Sequence, residues 1–305
     1  MKNVYVHLKY RIKSMTYLLL DWINLKKSNE IDIKNIKTVC LILGPYRNLT
    51  TYFSSILFLH PDCQVLNHGG RRIYGNKNID FFSNYSTKIF ENFLRFSLEI
   101  CKKGERGNHG GSILFSHAFD SKMLKNIYEN KKIELESKRS LKALIWKESL
   151  LNTNIIRSEG FELENLLKKE KKLKFILPIR NPLDCTFSNI KTGHSKLFRG
   201  INDYRKPSHV LEKVIDEIYW FIERKEEFPD RFYYFFDYEI SENILIEVLK
   251  FLNISIDQEW LSNAQKVVVN KSNYHFNSEL ISFYNYLIKR KFDKYPALIE
   301  KLKYF

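Results

Sequence analysis

The chain has 305 residues, of which 44% are hydrophobic, 15% aromatic and 28% charged, a balance that excludes a disordered or collagen-like protein. A chain of this length buries roughly 75% of its unfolded surface, enough for one large α/β domain or two small ones. Fifty Lys and Arg against 35 Asp and Glu leave a formal charge of +15. Such a field attracts anions such as nucleic acid, acidic lipid, acidic polysaccharide or a nucleotide, and a habit of solvated lysines accounts for it equally well.

Cys40, Cys63, Cys101 and Cys185 form no C-x-x-C pair, so neither a disulfide framework nor a zinc site is expected, no metal is assigned, and a reducing compartment is. No stretch approaches the ~20 apolar residues that cross a bilayer; the nearest, Met15–Ile23, is interrupted by Asp21. The basic segment Met1–Lys13 is not followed by a long apolar run and a cleavage site, so no signal peptide is read and the expected location is the cytoplasm. Residues 4–25 have the pattern of a basic amphipathic helix, suited to packing on the domain itself or to a peripheral contact with a membrane or partner. Residues 1–36 are expected to form an arm, and residues 37–305 a single domain.

Thr38–Leu43 is a short continuous apolar run, the signature of a parallel strand buried on both faces. Gly44–Thr51 reads as a loop, and Tyr52–Leu59 as a helix stopped at His60-Pro61. Cys63–Leu66 is a second strand candidate, ending in Asn67–Gly70, and Ser86–Lys102 has helical spacing. Lys103–Gly111 is a polar, Gly-rich loop, Ile113–Phe115 a further short apolar run, and Phe119–Lys132 a helix. Leu141–Trp146 and Phe175–Ile179 read as strands, Leu163–Glu170 as a charged helix, and Leu183–Gly193 as a helix with Pro182 near its first position. Val210–Lys225 is the clearest amphipathic helix. Phe232–Phe236 is a strand, Ser241 an N-cap candidate for Asn243–Leu252, and Ser278–Lys291 the last helix. Strands alternating with helices imply an α/β fold of three layers, with a central, mainly parallel sheet flanked by helices.

Two segments have chemical character. Gly44-Pro45-Tyr46-Arg47-Asn48-Leu49-Thr50-Thr51 lies between a buried strand and a helix start, where unpaired backbone N–H groups and the helix dipole favour an anion. Arg47 adds a planar cation, and Thr50 and Thr51 add hydroxyls. The loop lacks the Gly and Lys of a Walker A motif, which argues against a kinase or ATPase; an ordinary strand-to-helix turn has the same outline. In the second segment Arg180 closes a strand, Asn181-Pro182 opens a helix, and Ser188 lies about two turns further on. An Arg and a hydroxyl at the C-terminal end of a parallel strand stand where α/β sheets bind ligands.

Together the segments resemble the P-loop sulfotransferases, which use 3′-phosphoadenosine 5′-phosphosulfate (PAPS). That family has G-x-x-R/K-S-G-T-T/S around the 5′-phosphosulfate, then H-P after the next helix, here His60-Pro61. Its second motif, R-[DN]-P with a Ser eight residues after the Arg, is matched by Arg180-Asn181-Pro182 and Ser188. An aromatic strand running into Tyr238-Glu239-Ile240, with Phe251-Leu252-Asn253-Ile254 beyond, completes an ordered set over about residues 37–255. Asn48 and Leu49 replace the family's Ser and Gly, a departure that bears on the loop geometry, because Gly supplies positive φ.

The resemblance implies sulfuryl transfer from PAPS to a hydroxyl or amine, without a metal. It places Arg47, Asn48, Leu49, Thr50 and Thr51 around the phosphosulfate, Tyr52 against adenine, and Arg180 with Ser188 on the 3′-phosphate. Such chemistry needs a base for the acceptor proton and cations for charge on the leaving group. Arg47 and Lys147, which follows a strand, are expected to supply the cations. His68, in the sequence Leu66-Asn67-His68-Gly69-Gly70, stands where related enzymes carry a Glu base, and its ordinary pKa suits the role; His117, Glu148 and His194 are rivals. Arg71-Arg72 could meet an acidic acceptor, and Val269-Asn270-Lys271-Ser272 could fold over the nucleotide. The acceptor, whether a small molecule, glycan or peptide, would be met by loops 69–85, 103–111 and 194–206. The competing readings are a basic protein that binds nucleic acid or acidic glycan, disfavoured for nucleic acid by the lack of a recognisable binding motif, and a P-loop kinase without a standard Walker A loop.

Overall fold

The computed structural model describes residues 17–107, 109–138, 140–267, 274–303 and 305. Residues 1–16 of the expected arm 1–36, and residues 269–272, expected to fold over the nucleotide, lie outside these residues. Six strands form one sheet: β1 (Thr38–Ile42), β2 (Cys63–Asn67), β3 (Gly111–Ser112), β4 (Ala143–Lys147), β5 (Leu173–Ile179) and β6 (Phe232–Phe236). Their order is β3-β2-β4-β1-β5-β6, and every pairing is parallel except that of β2 with the short edge strand β3. All five residues of β1 and of β4 are buried, as strands covered on both faces require.

The period-2 alternation of the strands separates two cores. Val39 and Leu41 of β1, with Leu144 and Trp146 of β4, face one apolar cluster; Cys40 and Ile42, with Ala143 and Ile145, face the other. The first cluster is closed by α3 (Thr87–Ile100), α8 (Pro182–Thr192), α9 (Pro207–Glu227) and α12 (Ser278–Lys291), the second by α1 (Thr50–Phe58), α4 (Lys122–Asn130), α10 (Glu242–Phe251) and α11 (Gln258–Lys266). In α9, Val210, Leu211, Val214, Ile218 and Phe221 recur at helical spacing, and all are inaccessible. The remaining helices are α2 (Gly70–Ile73), α5 (Lys132–Glu136), α6 (Leu150–Ile156), α7 (Leu163–Lys169) and α13 (Pro296–Lys303). Among the described residues no helix is long and apolar enough to cross a membrane.

Three expectations need revision. Ile113–Phe115 is a 3-10 turn, not a strand: the Ser112 hydroxyl accepts from the Leu114 N–H and bends the chain locally. The stretch 119–132 is not one helix. His117–Asp120 is a 3-10 turn closed by the Ser121 N–H on the Ala118 carbonyl, and α4 starts only at Lys122. Ser241 occupies the N-cap position of α10 without capping it through its side chain. By contrast, Ser86 caps α3, and Asn181 caps α8 by accepting from the Leu183 and Asp184 N–H groups. Residues 17–28 are helical and anchored by Asp21, which accepts from Arg72 Nε at 2.8 Å.

Candidate active site

Register places the chemistry. Lys147 at the end of β4 pairs with Asn67 of β2 on one side and with Ile42 of β1 on the other, and Ile42 in turn pairs with Ile176 of β5. The segments that leave these four strands therefore emerge together at one sheet edge. They carry the loop 44–49, His68, Glu148 and Arg180, residues remote in sequence. This is the edge at which parallel α/β sheets bind ligands.

The loop is folded tightly. Gly44 has φ 95°, a backbone conformation that side-chain-bearing residues rarely adopt, and a Cβ there would lie 2.3 Å from Leu177 Cδ1, so the Leu177 side chain would have to shift. Its N–H donates to Thr153 Oγ1 at 2.9 Å. Arg47 and Leu49 have φ of 64° and 59°, so Leu49 adopts the left-handed conformation that its replacement of Gly had put at issue. Between them Asn48 is fully buried: its Nδ2 donates to the Pro178 carbonyl, and its Oδ1 accepts from the Arg180 N–H at 3.0 Å. The Asn48 side chain is therefore spent on β5, and only its main chain is left for a ligand. Leu49 starts α1 without a side-chain cap, which leaves the first N–H groups of that helix as open donors. Thr50 accepts from the Ser149 hydroxyl at 2.9 Å.

The second segment adjoins the first. Arg47 Nε donates to Ser188 Oγ at 2.9 Å, and Arg180 Nη1 donates to the Arg47 carbonyl at 3.3 Å. Arg180 also faces Asp184, 3.5 Å away. Two cavities flank this junction. One of about 190 Å³ is lined by Arg47, Leu49, Thr50, Thr51, Tyr52, His117 and Arg180. The other, of about 430 Å³, shares Arg47, Thr50, Thr51 and His117 with it and extends to His68, Lys147, Glu148 and His194.

In the larger cavity His68 lies between Lys147 and Glu148. Its Nε2 is 3.3 Å from Lys147 Nζ and its Nδ1 is 3.5 Å from Glu148 Oε1. With Lys147 charged, Nε2 must be the accepting nitrogen, so Nδ1 carries the proton and faces the carboxylate. Glu148 is held by the Gly70 N–H on its other oxygen, at 2.9 Å. His68 has φ 59° and is pinned by its N–H on the Lys147 carbonyl and by Trp146 Nε1 on its own carbonyl. Burial, then the Lys147 charge, hold its pKa below the usual value. Lys147 is only 3% exposed, and burial, reinforced by Arg47 and opposed by Glu148, pushes its pKa down to about 8.

Arg47, Leu49, Thr50, Thr51, Tyr52, His68, Lys147 and Arg180 line one or both cavities, and Ser188, which lines neither, bonds Arg47. His117, a rival base, lines both cavities with its pKa pushed down to about 4, chiefly by burial. Arg72 does not line them; it is turned inward to Asp21. His60 is structural: its ring bonds the Ser255 carbonyl and the Asp62 N–H at 3.0 Å each. Ser149, Thr153 and Asn189, whose Nδ2 donates to the Tyr46 carbonyl at 2.7 Å, support the loop unannounced by any local motif. Among the described residues no cluster of three or more His, Cys, Asp or Glu gathers as a metal site.

No family model and no curated protein matches the chain. Among solved structures it is similar to mouse sulfotransferase SULT7A1 complexed with PAP, at 12% identity over 92% of this chain and 91% of that one, TM-score 0.45. Sulfotransferase STF9 from Mycobacterium avium is similar at 12% identity over 90% and 79%, TM-score 0.44. A sulfotransferase from Alicyclobacillus acidocaldarius is similar at 14% identity over 86% and 95%, TM-score 0.43.

Proposed function

We propose that this protein is a PAPS-dependent sulfotransferase. The observation that carries the reading is the direct coupling of two anion sites: Arg47 of the loop bonds Ser188, and Arg180 bonds Arg47, across the wall of two adjoining cavities. A nucleotide with an anionic group on each side of its ribose needs such a pair. A P-loop site for a nucleoside triphosphate needs instead a Lys in the loop, and this loop has none.

In this reading the open amides of α1, with Thr50, Thr51 and Arg47, receive the phosphosulfate. Arg180 and Ser188 hold the 3′-phosphate, and Tyr52, in the smaller cavity, faces the adenine. PAPS supplies the transferable sulfuryl group. The bond from sulfur to the acceptor oxygen forms as the bond from sulfur to the 5′-phosphate oxygen breaks. As Lys147 turns from His68 to the phosphosulfate, the Nε2 lone pair of neutral His68 is freed to take the acceptor proton, with Glu148 orienting the ring through Nδ1. Lys147 and Arg47 face the charge that grows on the departing phosphate.

Thermal denaturation with adenosine 3′,5′-bisphosphate (PAP) tests the proposal. A ligand at 100 times its Kd adds about 2.7 kcal/mol to stability, so PAP is expected to raise Tm without metal, and Arg180→Ala to abolish the rise. His68→Ala retains PAP binding and loses turnover of labelled PAPS. Stabilisation by Mg-ATP and not by PAP would refute the reading in favour of a kinase.

A further inference from the structure

The larger cavity carries more positive charge than a phosphosulfate requires. Arg71 and Arg106 line it but do not reach the smaller cavity, where the loop and Arg180 stand. The carboxylate on its wall, Glu148, is 3% exposed and already bonded to the Gly70 N–H. Arg106 pairs with Asp120 at 2.6 Å, but both side chains are more than half exposed, and a pair of that kind is worth little and is readily exchanged. Its guanidinium is also held over the cavity by a bond from Nε to the Phe115 carbonyl, 3.2 Å. The same lining carries apolar side chains, Phe115 (46% exposed), Leu151 and Leu197, among polar ones such as Asn67 and Ser116.

We propose that the acceptor is an acidic saccharide, whose carboxylate or sulfate meets Arg71 and Arg106 while a neighbouring sugar hydroxyl is presented to His68. This rests on the sulfotransferase reading of the same site. A cleft of one sign focuses the field on its ligand, and planar guanidinium groups suit carboxylate and sulfate oxygens. The Phe115 ring in the same lining matches the C–H face of a sugar. An extended acidic peptide is favoured less, because the sheet edge beside the cavity is the two-residue strand β3, too short to recruit a further strand.

The test measures binding of two probes to PAP-saturated protein by calorimetry: a hexuronate tetrasaccharide and its carboxyl-reduced counterpart. The acidic probe is expected to bind at least 10-fold tighter, with the difference shrinking as salt rises. Arg71→Glu is expected to remove that preference while the Tm gain from PAP stays, since Arg71 does not line the nucleotide cavity. Equal binding of the two probes, binding of neither, or binding of an acidic tyrosine peptide in their place overturns the inference and leaves the sulfotransferase reading standing. A protein that PAP does not stabilise takes down both.

Discussion

Removing Asn48 is the sharpest test of how the loop 44–49 is held. The loop places Arg47 and Leu49 in left-handed backbone conformations, at a cost of about 1–2 kcal/mol each for non-glycine residues. Asn48 opposes that strain from a fully buried position, donating to the Pro178 carbonyl and accepting from the Arg180 N–H at 3.0 Å. Asn48→Ala leaves a buried donor and a buried acceptor without partners, each worth about 1–3 kcal/mol. Urea denaturation is therefore expected to show a loss of about 2–5 kcal/mol with an unchanged m-value. The freed loop must also be re-ordered by the ligand; if binding bears about 1–3 kcal/mol of that, PAP affinity by calorimetry falls roughly 10- to 100-fold. A variant that loses less than about 0.5 kcal/mol and binds PAP as before would refute the claim that this side chain, rather than the loop's own sequence, fixes the cradle.

Other outcomes follow from the same geometry. On the proposed mechanism kcat/KM needs neutral His68 and charged Lys147. It is expected to rise as pH climbs through the His68 pKa, held below the usual value, and to fall as Lys147 loses its proton near pH 8. Lys147→Arg keeps the charge and is expected to push the alkaline limb upward, whereas Lys147→Met costs about 10²–10³ in kcat; an alkaline limb that stays in place in Lys147→Arg rules out this assignment. A Cβ at Gly110 would lie 2.1 Å from the Asn67 carbonyl oxygen and 2.6 Å from the Gly69 N, both main-chain atoms that cannot swing aside. Gly110→Ala is thus expected to lower Tm far more than Gly75→Ala, which also has positive φ but nothing within 4 Å. Equal losses in the two would show that the loop 103–111 does not bear on the end of β2.

Local signals in the sequence mark what local forces decide. Thr38–Leu43 reads as a buried strand, Phe232–Phe236 as a strand, and Ser278–Lys291 as a helix, because hydrophobic period and flanking turn residues set each of them. The 3-10 turn at Ile113–Phe115 is misread, since three apolar residues carry no period and one serine hydroxyl diverts the chain. Arg47, Arg180 and Ser188 are legible because the two segments have recognisable order. Thr153, 109 residues from the Gly44 N–H it accepts, is not, because only strand register brings it there. Arg71 and Arg72 are indistinguishable in sequence, yet one rims the cavity and the other faces Asp21.

The replacement of glycine by Leu49 need not mean a broken cradle. What an anion requires of this loop is main-chain N–H groups at the start of α1, and those are supplied by position rather than by side chain. Glycine would lower the strain of the turn but add freedom to the unfolded chain. Leucine accepts the strain and stands half-buried, lining the smaller cavity with Tyr52. That exchange is stable only if something outside the loop prevents it from opening. Pro178 and Arg180 of the β5 segment, which hold the Asn48 side chain, and Ser149 and Thr153, at the N-cap of α6 and within it, which hold Thr50 and Gly44, do so. On the proposed function, the anion site is therefore a property of the strand ends to which the loop is tied, and its motif can vary so long as those ties remain.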